Sequence, residues 1–200
     1  MDLANLLAQR RMTRSFDGSE VDPAWLEERC AEALWAPTAG NSAGVRMHVI
    51  APSDVAGYFH CATDEAWRSG ARRAPGLMRA GAVVLVTAQP SLYLERYGEA
   101  DKGDSELTRL ESWPLPYWHT DAAMATMALL LLLEETRLAA TIWGSFRHEE
   151  DVLRWARVLD EQLFASVLIG RDDGNDVPSS SLQRNVPSRR ERVSRVTPAN

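Results

Sequence analysis

Lysine is nearly missing from this chain. Lys102 stands alone, and the rest of the basic charge is arginine. Acidic residues outnumber basic ones, 28 to 22, for a formal net charge of -6. That balance excludes a chain-wide field for nucleic acid, so any anion site has to be local. Cysteine is scarce as well. Cys30 and Cys61 are too few and too isolated for a disulfide framework or a zinc cluster. Long apolar runs are also lacking. The most apolar stretch, AAMATMALLLLL, is about a dozen residues, short of the roughly 20 that a membrane span needs, so it reads as a buried helix. No positively charged leader followed by an apolar stretch opens the sequence, and a cytoplasmic location without a membrane partner is the expectation.

Several site chemistries have no motif here. There is no GxGxxG after a strand, no P-loop lysine and no GxSxG elbow. His48, His60, His119 and His148 are scattered without metal-ligand spacing, so no metal is expected.

What is present reads as one domain of 200 residues, large enough to bury a real core. DLANLLAQRR starts on a capping Asp, with Leu3, Leu6 and Leu7 on one helical face. VDPAWLEERCAEALWA begins with Asp22 and Pro23, a cap and a first-turn proline, and Pro37 is the expected stop. VRMHVI alternates like a half-buried strand, and AVVLVTA is apolar enough for a central one. Residues 53 to 80 read as helical, with an arginine-rich turn. From about 90 to 120 no periodicity persists. Asp121 is then the expected cap of a long helix reaching Arg137. AATIWGSF, HEEDVLRWARVL and LFASVLIGR follow as a short strand or turn, a helix and a last strand, before a loop-like tail rich in Ser, Pro and Arg. Helices and strands mix without strict alternation, which points to an α+β fold.

Two arginine clusters lie at opposite ends. Arg10, Arg11 and Arg14 fall within RRMTRSF, inside one and a half turns of a possible helix; Arg184, Arg189, Arg190, Arg192 and Arg195 sit in the tail. Each cluster alone reads as solvated surface. Together they could converge on one phosphate, because planar guanidinium groups chelate its oxygens. WAPTAGNSAG, residues 35 to 44, is a helix stop and turn, or a loop whose exposed amides lie against a planar ring. IWGSF offers the same two readings through Gly144 and Ser145.

The order of these pieces is more specific than any one of them. RRMTRSFDGSEVDPAWLEERCAEALWAPTAGNSAGVRMHVI resembles the opening of the FMN-dependent nitroreductase family, where an RRSxRxF-like segment, a helix, an APSAxNxQPW-like loop and a strand succeed one another. The resemblance continues through DAAMATMALLLLLEETRLAATIWGSF, SVLIGR and PSRRERV, so it spans nearly the whole chain. It implies a nitroreductase-like α+β fold: a mostly antiparallel sheet flanked by helices, a long buried central helix and an intertwined homodimer. It implies FMN as cofactor. Arg10, Arg11, Met12 and Arg14 match the positions at the phosphate and ribityl end, joined by Arg189. Pro37, Thr38, Ala39 and Asn41 match the loop at the isoalloxazine ring, and Gly144 and Ser145 the turn at its reactive face. Met12 stands where the family commonly has a phosphate-binding serine. Ala43, Gly44 and Val45 replace Gln-Pro-Trp, and TRLAA lacks a customary glycine.

No catalytic side chain is expected, because the flavin carries the chemistry. NAD(P)H would deliver hydride, and a nitroaromatic, quinone or similar acceptor would take it by a ping-pong route. A specialised oxygen-using oxidase and a non-catalytic flavin-binding protein are the alternatives, beside a cofactor-free protein whose basic tail serves an anionic partner. Trp113, Tyr117, Trp118 and His119 are candidates to wall the pocket, or plain loop anchors.

Overall fold

A computed structural model of the chain describes residues 2–144 and 146–196. Its centre is strand β2 (Ala82–Ala88), the run AVVLVTA, buried at every position. A strand apolar on both faces needs cover on both, and it also needs a neighbour on each side to satisfy its backbone. β1 (Val45–Ile50) pairs antiparallel on one side and β4 (Gln162–Gly170) on the other. β3 (Ala139–Trp143) adds to β4, giving an antiparallel sheet in the order β1-β2-β4-β3. The β2–β4 register slips between Val86 and Thr87, where Phe164 is the extra residue of a bulge.

Side-chain alternation then sorts the two cores. Ala82, Val84, Val86, Val167 and Ile169 face α2 (Pro23–Ala33) and α7 (Tyr117–Glu135). Val83, Leu85 and Leu168 face α3 (Val55–Ala62) and α8 (Glu149–Ala156). The connections carry α1 (Leu3–Gln9), α4 (Glu65–Gly70), α5 (Ala74–Leu77), α6 (Pro90–Tyr97) and several 3-10 turns. Among the described residues no helix is long and apolar enough to cross a membrane.

Four local expectations change. α7 begins at Tyr117, not Asp121, which lies inside the helix as a buried carboxylate. α2 ends at Ala33, well before Pro37, since Leu34 already leaves the helix. α1 buries only Leu6; Leu3 and Leu7 are exposed. The stretch from 90 to 120 holds a regular helix, α6, whose start is the proline of its first turn.

Ala122, Ala125, Leu129 and Leu133 form the inward stripe of α7, on the side of the sheet that α2 also covers. Leu129 is fully buried there. Leu129→Ala should cost about 2–5 kcal/mol of folding stability, read from urea denaturation midpoints, because the cavity cannot collapse between a helix pair and a sheet.

Candidate functional site

The arginine segment is not helical. α1 stops at Gln9, and the following residues run beside the outer edge of β3. Met12 forms a parallel bridge with Ala140, and the Thr13 amide donates to the Ala140 carbonyl at 3.0 Å. Phe16, fully buried, then bridges Asp172 just past β4. One short segment thus ties the sheet's edge to the start of the C-terminal tail.

The tail meets it with carboxylates. Arg11 Nη2 donates to Asp172 Oδ2 at 2.6 Å, Ser15 Oγ donates to Asp173 Oδ2 at 2.9 Å, and the Arg14 amide donates to Asp176 Oδ2 at 3.2 Å. The Asn175 amide first, and the Ser15 hydroxyl after it, hold the Asp173 carboxyl below its ordinary range. It is therefore an ionised acceptor at neutral pH.

The matched arginines separate in their surroundings. Arg11 lines a cavity of 330 Å³ together with Thr13, Glu134, Arg137 and Asp172. Arg14 lines another of 70 Å³ with Arg72, Arg73 and Asp176. Arg10 is half-buried, and its Nε and Nη1 are out of water without a hydrogen-bond partner. Arg189 lies in an exposed turn of the tail, with no hydrogen-bond or ion-pair partner among the described residues. Met12 packs against the core beside α7 and offers no polar atom to a ligand except its backbone.

The second segment, Pro37 to Asn41, is a braced loop. Ala39–Asn41 form a 3-10 turn, in which Gly40 has φ 63°. That left-handed value favours glycine, and a Cβ there would also meet the Tyr97 ring at 2.8 Å. Asn41 and Ala43 share the left-handed region at φ 56° and 50°, a strain that persists only where surroundings enforce it. The enforcement comes from α7 and α6. Asp121, only 2% exposed, accepts from the Ala39 amide and from the Tyr93 hydroxyl, both at 2.8 Å on Oδ2. Arg96 Nε donates to the Gly40 carbonyl at 2.8 Å. Burial, then the bond to Asp121, pushes the Tyr93 hydroxyl far above its ordinary pKa, so it remains a neutral donor. Pro37 and Asn41 are exposed on this braced frame, and Thr38 is half-buried.

The third segment follows β3. Gly144 lies on the rim of a 390 Å³ cavity with Trp67, Trp143, Arg147 and His148. Trp67 stacks on Phe59, and Trp143 tilts against both rings. Ser145 lies outside the described residues. Trp118 is buried between Tyr93 and Trp113 and donates its indole N–H to Gln162 at 3.0 Å. His119 is half-buried near Phe164, with Nε2 unpartnered. His48 bonds Thr87 and Glu161, and no group of side chains that could hold a metal occurs among the described residues.

Sequence reasoning missed Arg72 and Arg73, although the arginine-rich turn was visible, and the DDGND run that meets the N-terminal segment. It also missed the brace made by Asp121 and Tyr93. A lone Asp ahead of an apolar run carries no signal for burial.

The chain belongs to the nitroreductase family, whose model matches residues 7–171. Solved structures share the fold at low identity. A nitroreductase family protein from Streptococcus pneumoniae TIGR4 is 18% identical with a TM-score of 0.71, covering 98% of this chain and 100% of its own. The nitroreductase CinD from Lactococcus lactis, solved with nicotinic acid and also with 4-nitrophenol, is 14% identical with a TM-score of 0.69, covering 94% and 100%. A protein from Staphylococcus epidermidis ATCC 12228, provisionally named an NAD(P)H:FMN oxidoreductase, is 17% identical with a TM-score of 0.65, covering 93% and 92%. A comparison with curated proteins returns no match. Family membership makes the chain an oxidoreductase, in a family that generally uses a flavin.

The brace is testable by itself. Asp121→Asn replaces the buried carboxyl group that accepts from the Ala39 amide and the Tyr93 hydroxyl by an amide. It should lower stability by about 1.5–3 kcal/mol and speed hydrogen exchange at the Ala39 amide. Unchanged exchange there would show that Asp121 does not hold the loop.

Proposed function

We propose that this chain is an FMN-dependent NAD(P)H oxidoreductase acting on nitroaromatics, quinones or similar electron-poor small molecules by a ping-pong route. The observation that carries the reading is the Arg10 guanidinium, partly out of water with Nε and Nη1 unpaired. A buried charge is stable only when it is paired. A flavin phosphate pairs it through charge-assisted hydrogen bonds. The family match supports a flavin, and the neighbour provisionally named an NAD(P)H:FMN oxidoreductase supports FMN with NAD(P)H. CinD bound to 4-nitrophenol supports a nitroaromatic acceptor.

On this reading Arg10 and Arg14 hold the phosphate and ribityl end, with Arg189 reaching them from the tail. Arg11, through Asp172, keeps the segment against the sheet. Met12 has no hydroxyl, so guanidinium groups take over the contacts that a serine would share. The loop from Pro37 to Asn41 presents its backbone and small side chains to the ring, and its bracing by Asp121 and Arg96 sets that surface in advance. Gly144, with no side chain, leaves the reactive face open. The cavity walled by Trp67 and Trp143 gives a flat apolar acceptor room to lie. Trp118 and His119 back the site through packing on Tyr93 and Phe164. When bound, FMN supplies the hydride chemistry between the two substrates, which use one slot in turn.

The active form on this reading is a homodimer. Trp35 is 89% exposed next to the candidate loop, and Leu3, Leu7 and Met124 are exposed on α1 and α7, which touch each other. Large apolar side chains grouped on a surface mark an interface. Residues 181–196 of the tail are exposed and free to embrace a second copy.

Two measurements check this. The purified chain should be yellow, bleach with NADH or NADPH without oxygen, and recover with 4-nitrophenol or a quinone. Arg10→Ala should weaken FMN binding by about 1.5–3 kcal/mol for each charge-assisted hydrogen bond that Arg10 gives the phosphate, at least tenfold in Kd by fluorescence titration. A colourless chain that ignores added FMN defeats the proposal. Light scattering should give a dimer, and Trp35→Asp should raise the monomer fraction; a monomeric wild type would remove the second copy from the site.

A further inference from the structure

A cavity of 640 Å³ lies between the start of α2, the turn from α7 into β3, and the residues just past β4. No residue of the three candidate segments lines it. Its volume falls within the roughly 300–1,000 Å³ of small-molecule sites. Part of its lining is apolar and fixed. Val21 is buried, and half-buried Trp25 and Leu138 pack against the core that α2 and α7 share. The Arg29 guanidinium lies over the Trp25 ring at 5.6 Å, which steadies the indole.

Charge of both signs completes the lining. Arg137 and Arg171 make no hydrogen bond or salt bridge through their side chains among the described residues. Ser19 is the main cause of the low Asp17 pKa, and the nearby charge of Arg171 a minor one. Of the three carboxylates that line the cavity, two are engaged. Asp22 Oδ1 accepts from the Ala24 amide at 3.0 Å, and Asp172 accepts from Arg11 and from the Gly174 amide. Glu20 is exposed and makes no side-chain hydrogen bond or salt bridge among the described residues.

Arg137 also holds a backbone position that arginine disfavours. At the end of α7 the Leu138 amide donates to the Leu133 carbonyl at 3.1 Å, and the Arg137 amide to the Glu134 carbonyl at 3.0 Å. That pair of bonds stops a helix by placing one left-handed residue after its last turn, usually glycine. Here the residue is Arg137, at φ 62°. Strain retained at a cavity wall points to a use for the side chain that causes it.

We infer that this cavity binds a small zwitterion bearing an apolar ring, of which an aromatic α-amino acid is the simplest case. Arg137 and Arg171 offer paired N–H donors to its carboxylate. Glu20 takes the ammonium group, and the ring lies against Trp25. A plain anion would meet the like charge of Glu20, and a plain amine that of two guanidinium groups. The site stands independently of the flavin reading.

Calorimetric titration of the full-length chain with L-phenylalanine, 3-phenylpropionate and phenethylamine tests it. The second ligand lacks the ammonium group and the third the carboxylate. Wild type should bind phenylalanine at least about tenfold more tightly than either. Arg137→Gly should weaken phenylalanine and phenylpropionate binding by about the same factor and leave phenethylamine unchanged. Its melting temperature should equal or exceed that of wild type, because glycine relieves the left-handed backbone, so lost binding is not lost folding. Glu20→Gln should weaken phenylalanine and phenethylamine and spare phenylpropionate. Arg109→Ala, at an exposed arginine outside the cavity, controls for net charge and should bind like wild type. Wild type that ignores phenylalanine, or binding equal in wild type, Arg137→Gly and Glu20→Gln, overturns the site. Phenylpropionate bound as tightly as phenylalanine overturns the zwitterion.

Discussion

Everything in this fold is arranged around a strand that water never reaches. β2 is buried along its whole length, so it demands a hydrogen-bonding neighbour on each side and a helical layer on each face. α2 and α7 cover one face and α3 and α8 the other. The sheet's two edges then fall on β1 and β3, and the extended segment after α1 closes part of the β3 edge through Met12 and Thr13. The arginines are therefore carried on a strip that the sheet itself positions. Their placement is a consequence of satisfying an exposed edge.

That strip divides its charge in two ways. Arg11 is engaged by Asp172 and anchors the tail's first turn. Arg10 and Arg14 make no salt bridge among the described residues, and Arg14 lines one small pocket with Arg72, Arg73 and Asp176. An unpaired, partly desolvated cation is costly in a structure that has an excess of acidic residues available. On the function proposed above, such residues form a site rather than a defect of packing. The braced loop of residues 37–41 belongs to the same logic. Its strained backbone is held by a buried carboxylate and a buried tyrosine from two helices rather than by its own preferences.

Much of the scaffold could be read from local pattern. The continuous apolar run of β2, the alternation of β1, and the Asp22-Pro23 start of α2 each appear where the residues place them. What escaped was set by neighbours distant in sequence. Asp121 looks like a helix cap beside an apolar run, yet the helix starts four residues earlier, with Pro116 at its cap position and Tyr117 and Trp118 in its first turn. Leu3 and Leu7 keep helical spacing with Leu6, but within one chain only Leu6 finds cover. α6 has too few turns for periodicity to stand out, and Tyr93 and Arg96 on it matter only because the candidate loop packs there.

The residues alone determined the α+β class and the bounds of the N-terminal arginine strip and of the loop between α2 and β1, which rest on short-range order. They also carried the resemblance to the family, which rests on the succession of motifs along the chain. The tertiary structure decided which arginines are neutralised and which are left unpaired, that Arg72 and Arg73 join Arg14, and that Asp121 is a buried brace. Those outcomes depend on pairs separated by tens of residues, such as Arg11 with Asp172 and Ala39 with Asp121. Charge pairing and burial are properties of distance in space, and spacing along a sequence does not encode them until the sheet has formed.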